Sequence, residues 1–417
     1  MKLRFLDLFA GGGGLSEGFI RAGYTPIAHV EKDLAASYTL KTRAVFHFLM
    51  SKGRIGQYVD YLEGRIAREE LYAQVPARIL DSVINQEIRN DSLDGIFMRI
   101  DELSACKPID LIIGGPPCQA YSLIGRSRDS RGMKGDMRNY LYRQYAGFLE
   151  RYKPRFFVFE NVLGLLSAKD IDGQSFFESM NNEFKSLDYS IEYKILNASD
   201  YGVPQSRQRI VLVGERGKCS GFFPQPTPWD PGIVVNDVLT DLPPIPAGGG
   251  NFNSCALSEI YHPYLSETGI RTDGIPVTYH KARRNNNRDL EIYRRVVSHW
   301  NKTGGRFDYN LLPDRLKTHT NRRSFVDRFK VVAGNLPSCH TVMAHAAKDG
   351  HFYIHPDTKQ NRSLTPRELA RLQTFPDDFF FESVTGIPAL APALIQIGNA
   401  VPVLLAQKIA EQLKEAW

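Results

Sequence analysis

Cysteine is scarce in this chain of 417 residues. The five present (Cys106, Cys118, Cys219, Cys255, Cys339) are odd in number, widely scattered and form no CxxC pair. That spacing excludes a disulfide framework and a zinc ribbon and fits a reducing compartment. No window holds eighteen uncharged apolar residues, so no membrane span is expected. The first apolar run is broken by Asp7, unlike the core of a signal peptide. Internal repeats and low-complexity tracts are missing. Neither charge dominates: 52 Lys and Arg against 46 Asp and Glu leave +6. A bias that small does not by itself indicate a nucleic-acid partner.

What is present is an ordinary globular composition, 42% hydrophobic and 24% charged, in a length that predicts two or three domains. Residues 3–9 form an apolar strand pattern, a glycine-rich turn enters a helix, and a second strand ends at Glu31. Further buried-strand patterns lie at 109–115, 155–161, 193–198 and 209–215, with helical patterns such as 138–152 and 174–187 between them. This alternation predicts an α/β fold, a doubly wound and mostly parallel sheet. Residues 42–95 look like a helical insertion. After 221 the texture turns rich in proline and glycine and loses the βαβ rhythm. The window 281–330 holds 14 Lys and Arg against five acids, a net of +9 that leaves −3 for the rest. We therefore expect a catalytic and cofactor-binding domain at 1–245, a smaller recognition domain at 246–375, and a segment at 376–417 returning to the first.

The turn Asp7-x-Phe9-x-Gly11-x-Gly13 sits where a first strand meets a helix, and glycines there let a ligand approach the backbone. The dinucleotide pattern GxGxxG fits no register across it. Glu31, ending the second strand, suits ribose hydroxyls. The pattern suggests a nucleoside cofactor without pyrophosphate, foremost S-adenosylmethionine; a merely tight turn is the plainer alternative. The strand near 111 runs into Gly114-Gly115-Pro116-Pro117-Cys118, which delivers a cysteine to the same sheet edge. A thiolate there is a nucleophile, where a lone cysteine is otherwise most often a small core residue. The following stretch, with Arg126, Arg128, Arg131, Lys134 and Arg138, suits a phosphate-seeking loop.

With these motifs the chain resembles the C5-cytosine DNA methyltransferases. The carriers are DLFAGGGGLSEGF, GGPPCQAYS, FVFENVLGLLS, YGVPQSRQRIVLVG, RSLTPRELARLQTFPDDF and IGNAVPVLLA, in that family's order across residues 5–406. The variable part, about 221–361, falls where the family keeps its target-recognition domain. The resemblance implies the S-adenosylmethionine-dependent methyltransferase fold and a methyl transfer to C5 of a flipped-out cytosine in specific duplex DNA. Cys118 is then the nucleophile at C6. Glu160 acts at N3, a role that asks for a raised pKa, and Arg209 with Arg207 holds O2 and its surroundings. The resemblance assigns Phe9, Ala10, Gly11, Gly13, Leu15, Glu31, Pro116, Leu141, Asn399 and Val401 to S-adenosyl-L-methionine. Arg367, Glu368, Arg371 and Gln373 look like ties between recognition region and body.

One family motif, a Gly-Asp-Ile whose acid reads the adenine, has no clean copy; Glu87, Asp91 and Asp101 compete for it. Cys339, His340, His345, His351 and His355 match no common zinc spacing, so no metal is expected. The expected partner is double-stranded DNA, with a cognate restriction endonuclease acting separately and no membrane. The expected state is a monomer in the cytoplasm, nucleoid-associated through DNA. The rivals are a tRNA methyltransferase on the same fold, an inactive DNA-binding regulator, and, more weakly, a nicotinamide-dependent dehydrogenase.

Overall fold

The computed structural model describes residues 2–117, 140–170, 172–217, 220–323 and 326–417. Seven strands are β1 Arg4–Leu8, β2 Thr25–Glu31, β3 Val83–Asn85, β4 Leu111–Gly114, β5 Phe156–Asn161, β6 Tyr189–Asn197 and β7 Gln208–Arg216. They form one sheet in the order β3-β2-β1-β4-β5-β7-β6. The first five are parallel, and β7 runs antiparallel to both β5 and β6. The fold is the expected doubly wound α/β sheet. The segment joining β6 to β7 is too short for a crossover, so the pair must be antiparallel. The reversal carries the start of β7 to the edge where β1, β2, β4 and β5 end.

The parallel strands are buried on both faces, which is why they are nearly continuous apolar runs. Leu6, Leu8, Ile112, Phe157, Phe159 and Leu212 face a core shared with the helices Leu93–Ser104, Leu141–Tyr152 and Phe176–Ser186. Their strand neighbours Phe5, Leu111, Ile113, Val158, Val211 and Val213 face the opposite core. There α1 (Gly14–Arg21) lies against the helix Val403–Glu415. The approach is close enough to require glycine: a Cβ on Gly18 would lie 2.4 Å from Ala406 Cβ, and one on Gly14 2.4 Å from the Val401 carbonyl oxygen. Leu390–Glu415, taken as one segment, is apolar and long enough to cross a membrane. It is broken at Pro402, and 67% of its most apolar window is buried in the fold.

The stretch 42–95 holds the end of α2 (Leu34–Ser51), the helices Gly56–Leu62, Arg68–Tyr72 and Ala77–Asp81, the strand β3 and the start of Leu93–Ser104. It does not stand apart. Val45, Phe46, Tyr58 and Tyr61 share a core with Val235, Tyr279, Phe375 and Phe379–Phe381. Arg43 on α2 clamps Glu17 at 2.6 Å and Asp378 at 2.7 Å. The Glu382 carboxyl accepts from Thr42 and Tyr61 at 2.6 Å each. A separate cluster joins Ile292, Tyr293, Val296 and Val297 of the helix Asn287–Thr303 to Phe307, Tyr309, Phe329 and Ile354.

The helix Pro366–Leu372 starts on a Thr365 cap reinforced by Glu368. It is a bundle of buried ties. Glu368 takes two bonds of 2.7 Å from Arg362. Arg367 donates to the carbonyls of Thr278, Pro376 and Phe379. Arg371 pairs with Asp377 at 2.6 Å and with Asp241. These side chains join residues near 241 and 278 to the C-terminal segment.

Candidate active site

The carboxyl ends of β1 and β2 build the first wall. Phe9, Gly11 and Gly13 have φ of 58°, 55° and 85°. For Phe9 that is a strained backbone held by its surroundings. The N–H groups of Gly11 and Asp33 donate to the two Glu31 carboxylate oxygens at 2.7 Å each. Burial raises the Glu31 pKa. The two N–H bonds oppose this, and the negative charges of Asp33 and Asp7 add to it. Three of the four loop glycines are pressed by protein: Cβ atoms on Gly12, Gly13 and Gly14 would meet Gln396, Leu40 and Val401 at 3.1, 2.9 and 2.4 Å. Among the described residues, a Cβ on Gly11 would meet nothing within 4 Å, so this glycine fronts space they leave open. Behind it, Asp7 is 1% exposed; its Oδ1 has no hydrogen-bond partner among the described residues, while Oδ2 lies 3.4 Å from His29 Nδ1.

The second wall comes from β4, β5 and β7. A Cβ on Gly114 would lie 2.6 Å from the Leu8 carbonyl, and one on Gly115 2.9 Å from Glu160 Oε2. Asn161 Nδ2 donates to the Pro116 carbonyl at 3.2 Å, fixing the prolines that lead to Cys118. Cys118 itself, and the arginine-bearing stretch expected at 120–138, lie outside the described residues. Glu160 pairs in register with Val211, so Arg209, two residues earlier on β7, shares its face. Arg209 Nε sits 2.7 Å from Glu160 Oε1, with both side chains about seven-eighths buried (15% and 13% exposed).

Arg207 is placed differently. It precedes β7, is 1% exposed, and donates to the carbonyls of Val342 at 2.6 Å and Gly398 at 3.3 Å. These bonds tie Arg207, expected beside the cytosine with Arg209, to the segments around 342 and 398. Among the other expected residues, Phe9, Gly11, Gly13, Glu31 and Pro116 share the sheet edge. Leu141 opens its helix, half-buried. Asn399 ends the helix Leu390–Asn399 at the surface, and Val401 presses its carbonyl towards Gly14. Leu15 and Ala10 are packed into core clusters.

Of the three acids, Glu87 follows the carboxyl end of β3 and pairs with Lys32 at 3.0 Å. Asp91 pairs with Arg89, and Asp101 with Arg151 on the next helix. The histidine-rich stretch serves packing. His340 bonds the Phe352 carbonyl and His351 bonds the Tyr293 hydroxyl. Burial pulls the pKa values of His340 and His355 down to about 4. Among the described residues no three His, Cys, Asp or Glu group as metal ligands. Sequence reasoning gave no role to Asp7, Gly115 and Asn161. Asn161 stood beside Glu160 in the quoted motif, but its partner Pro116 is distant in sequence.

A strand-end glycine loop with an acid on the neighbouring strand, on this sheet order, defines an α/β enzyme of the methyltransferase fold. A solved structure described as an E. coli prophage-encoded DNA modification methyltransferase superposes with a TM-score of 0.64 at 24% identity, over 99% of both chains. The Entamoeba histolytica methyltransferase EhMeth does so at 0.56 and 15%, over 100% of this chain and 98% of its own. The family model for C-5 cytosine-specific DNA methylase matches residues 78–415. The type II methyltransferase M.Bpa9945I of Bacillus paralicheniformis is 36% identical over 98% of both chains. M.DdeI of Desulfomicrobium norvegicum is 32% identical over 99% of this chain and 88% of its own. The chain belongs to the C-5 cytosine-specific DNA methylase family, and it is a DNA (cytosine-5)-methyltransferase.

Proposed function

We propose that the enzyme methylates C5 of a flipped-out cytosine in one duplex DNA sequence through a covalent Cys118–C6 adduct, with S-adenosylmethionine as donor. The observation that carries this reading is the Glu160–Arg209 pair seated against Gly115, three residues before Cys118 and on the sheet edge that holds the open glycine loop.

The residues present fit the cofactor. Gly11 fronts space that the described residues leave open, the Glu31 carboxylate is fixed beside it, and Asp7 supplies buried negative charge beneath the loop. Phe9, Gly11, Gly13, Glu31, Pro116, Leu141, Asn399 and Val401 would hold it. When bound it supplies an electrophilic sulfonium methyl. The protein's part is to make C5 a nucleophile. The Cys118 thiolate forms a bond to C6, and the displaced electron pair moves to C5. Glu160 protonates or hydrogen-bonds N3, and Arg209 fixes both Glu160 and the O2 side of the ring. C5 would thereby take up the methyl, and loss of its proton to water would then expel the thiolate from C6 and restore the C5–C6 double bond. A target base is out of reach inside the stack, so it must leave it. Arg207 is assigned to positioning. The basic region at 281–330 is assigned to DNA, and the likeness to type II enzymes supports a separate cognate endonuclease.

The test is conversion sequencing of DNA from a methylation-free host expressing this chain, beside Cys118→Ala. Methylated cytosines in one short context, present only with Cys118, are expected. An unmethylated genome alongside labelled tRNA overturns the reading in favour of an RNA enzyme.

A further inference from the structure

Two buried amides that the reaction does not use link three parts of the molecule. Gln205 and Gln373 are both fully buried. Gln373 Nε2 faces two acceptors, the Ile397 carbonyl at 2.8 Å and the Ala400 carbonyl at 3.4 Å. That end of the amide must therefore be the NH2 group. Its Oε1 is left to accept, and Gln205 Nε2 donates to it at 3.1 Å and to the Leu372 carbonyl at 3.1 Å. Gln205 Oε1 then has one role, and it accepts the Val342 N–H at 2.8 Å. Every donor has one direction, from Val342 through Gln205 and Gln373 to the 397–400 turn.

Both ends of this chain matter. Residues 339–343 are laid along the motif that leads into β7: Ser206 N–H donates to the Cys339 carbonyl at 2.8 Å, and Arg207 takes the Val342 carbonyl at 2.6 Å. The Val342 peptide is thus gripped at its N–H and at its carbonyl. At the far end, a Cβ on Gly398 would lie 2.1 Å from the Ala344 nitrogen, so recognition-side backbone rests directly on that helix. The same helix and turn place Gln396 against Gly12 and Val401 against Gly14 of the glycine loop.

We propose that Gln205 and Gln373 are positioning residues that couple the recognition segment to the cofactor wall, so that duplex DNA and the cofactor strengthen each other's binding. The inference rests on the S-adenosylmethionine reading above. Coupling of this kind is reciprocal, and the two amides act in series.

The experiment measures S-adenosylhomocysteine binding to the intact enzyme by calorimetry, with and without sheared plasmid DNA from a methylation-free host. DNA is expected to tighten binding about tenfold in the native protein. Gln205→Met should abolish this gain while binding S-adenosylhomocysteine alone about as well as the native enzyme. Gln373→Met should do the same, and the double variant should lose no more than either single one, as members of one series do. A purely packing role would lower stability and leave the gain intact. Hydrogen exchange at the Val342 amide of the native enzyme needs no variant: S-adenosylhomocysteine alone should slow it. Unchanged exchange, no gain in the native protein, or a gain that survives in Gln205→Met overturns the proposal. Complete failure to bind S-adenosylhomocysteine overturns the cofactor reading itself, and the coupling with it.

Discussion

Arg209 Nε and Glu160 Oε1 meet at 2.7 Å across the antiparallel pairing of β7 with β5. The contact exists because β7 runs against the parallel strands and delivers its first residues to the edge where β5 ends. The guanidinium fixes the carboxyl in direction, and the two act as a unit. Glu160→Gln and Arg209→Lys should each lower kcat by roughly a hundredfold or more. The double variant should fall well short of the product of the two losses. Initial rates of methyl incorporation into DNA check this.

Two neighbouring glycines should separate catalysis from folding. A Cβ on Gly115 would lie 2.9 Å from Glu160 Oε2, a side-chain atom that can move aside. Gly115→Ala should displace the carboxyl and cut kcat about tenfold or more while leaving the thermal midpoint nearly unchanged. A Cβ on Gly114 would lie 2.6 Å from the Leu8 carbonyl, a backbone atom inside the sheet. Gly114→Ala should instead cost about 1–3 kcal/mol of stability. Urea titrations beside rate measurements distinguish them.

Arg371 is fully buried between Asp377 and Asp241. Arg371→Met leaves both carboxylates inside without their cation. The expected loss is about 3–5 kcal/mol, because breaking a buried pair strands its partner. Equilibrium urea unfolding measures it, and a loss below about 1 kcal/mol would contradict the buried-tie description.

Glu382 bears on pH. Burial, the largest cause, raises its pKa from 4.5 to about 7, although Thr42 and Tyr61 donate to it and Arg68 stands near. Its folded pKa exceeds its unfolded one, so the native state binds more protons in between. Its contribution therefore favours folding least at high pH, declining from about pH 4.5 and levelling off above 7. Glu382→Gln should remove that slope. The native-minus-variant difference in unfolding free energy should shift by a few kcal/mol, on the order of 3, between pH 4.5 and 8. A flat difference would show that the carboxyl is ionised throughout.

Much of this architecture was legible because buried parallel strands are apolar runs. β1, β2, β4 and β5 stand out in the sequence for that reason. β3 does not, since three residues carry no periodicity and a helical insertion precedes them. β6 begins at Tyr189 rather than 193. It is an edge strand with Tyr193 and Ile195 45% and 47% exposed, so its pattern is diluted by Glu192 and Lys194. Arg207 and Arg209 show the same limit at the site. They are one residue type two positions apart, and contacts with Val342, 135 residues away, and Gly398, 191 away, hold the first in the core. Gln205 is silent in sequence for the same reason, and Gln373 stands out only through the family motif that carries it. Asparagine and glutamine become structural only when buried beside particular carbonyls.

Helix α1 carries the glycine loop, yet the surface that covers it comes from residues 400–406. During synthesis the loop emerges long before its cover. A nascent chain bearing the complete recognition region still presents α1 with an open apolar flank. Closure across nearly the whole length is a high-contact-order event and a slow one. Ribosome-bound or prematurely terminated products should therefore be inert. A cell making this enzyme would acquire methylation only from molecules in which residues 400–406 have closed over α1.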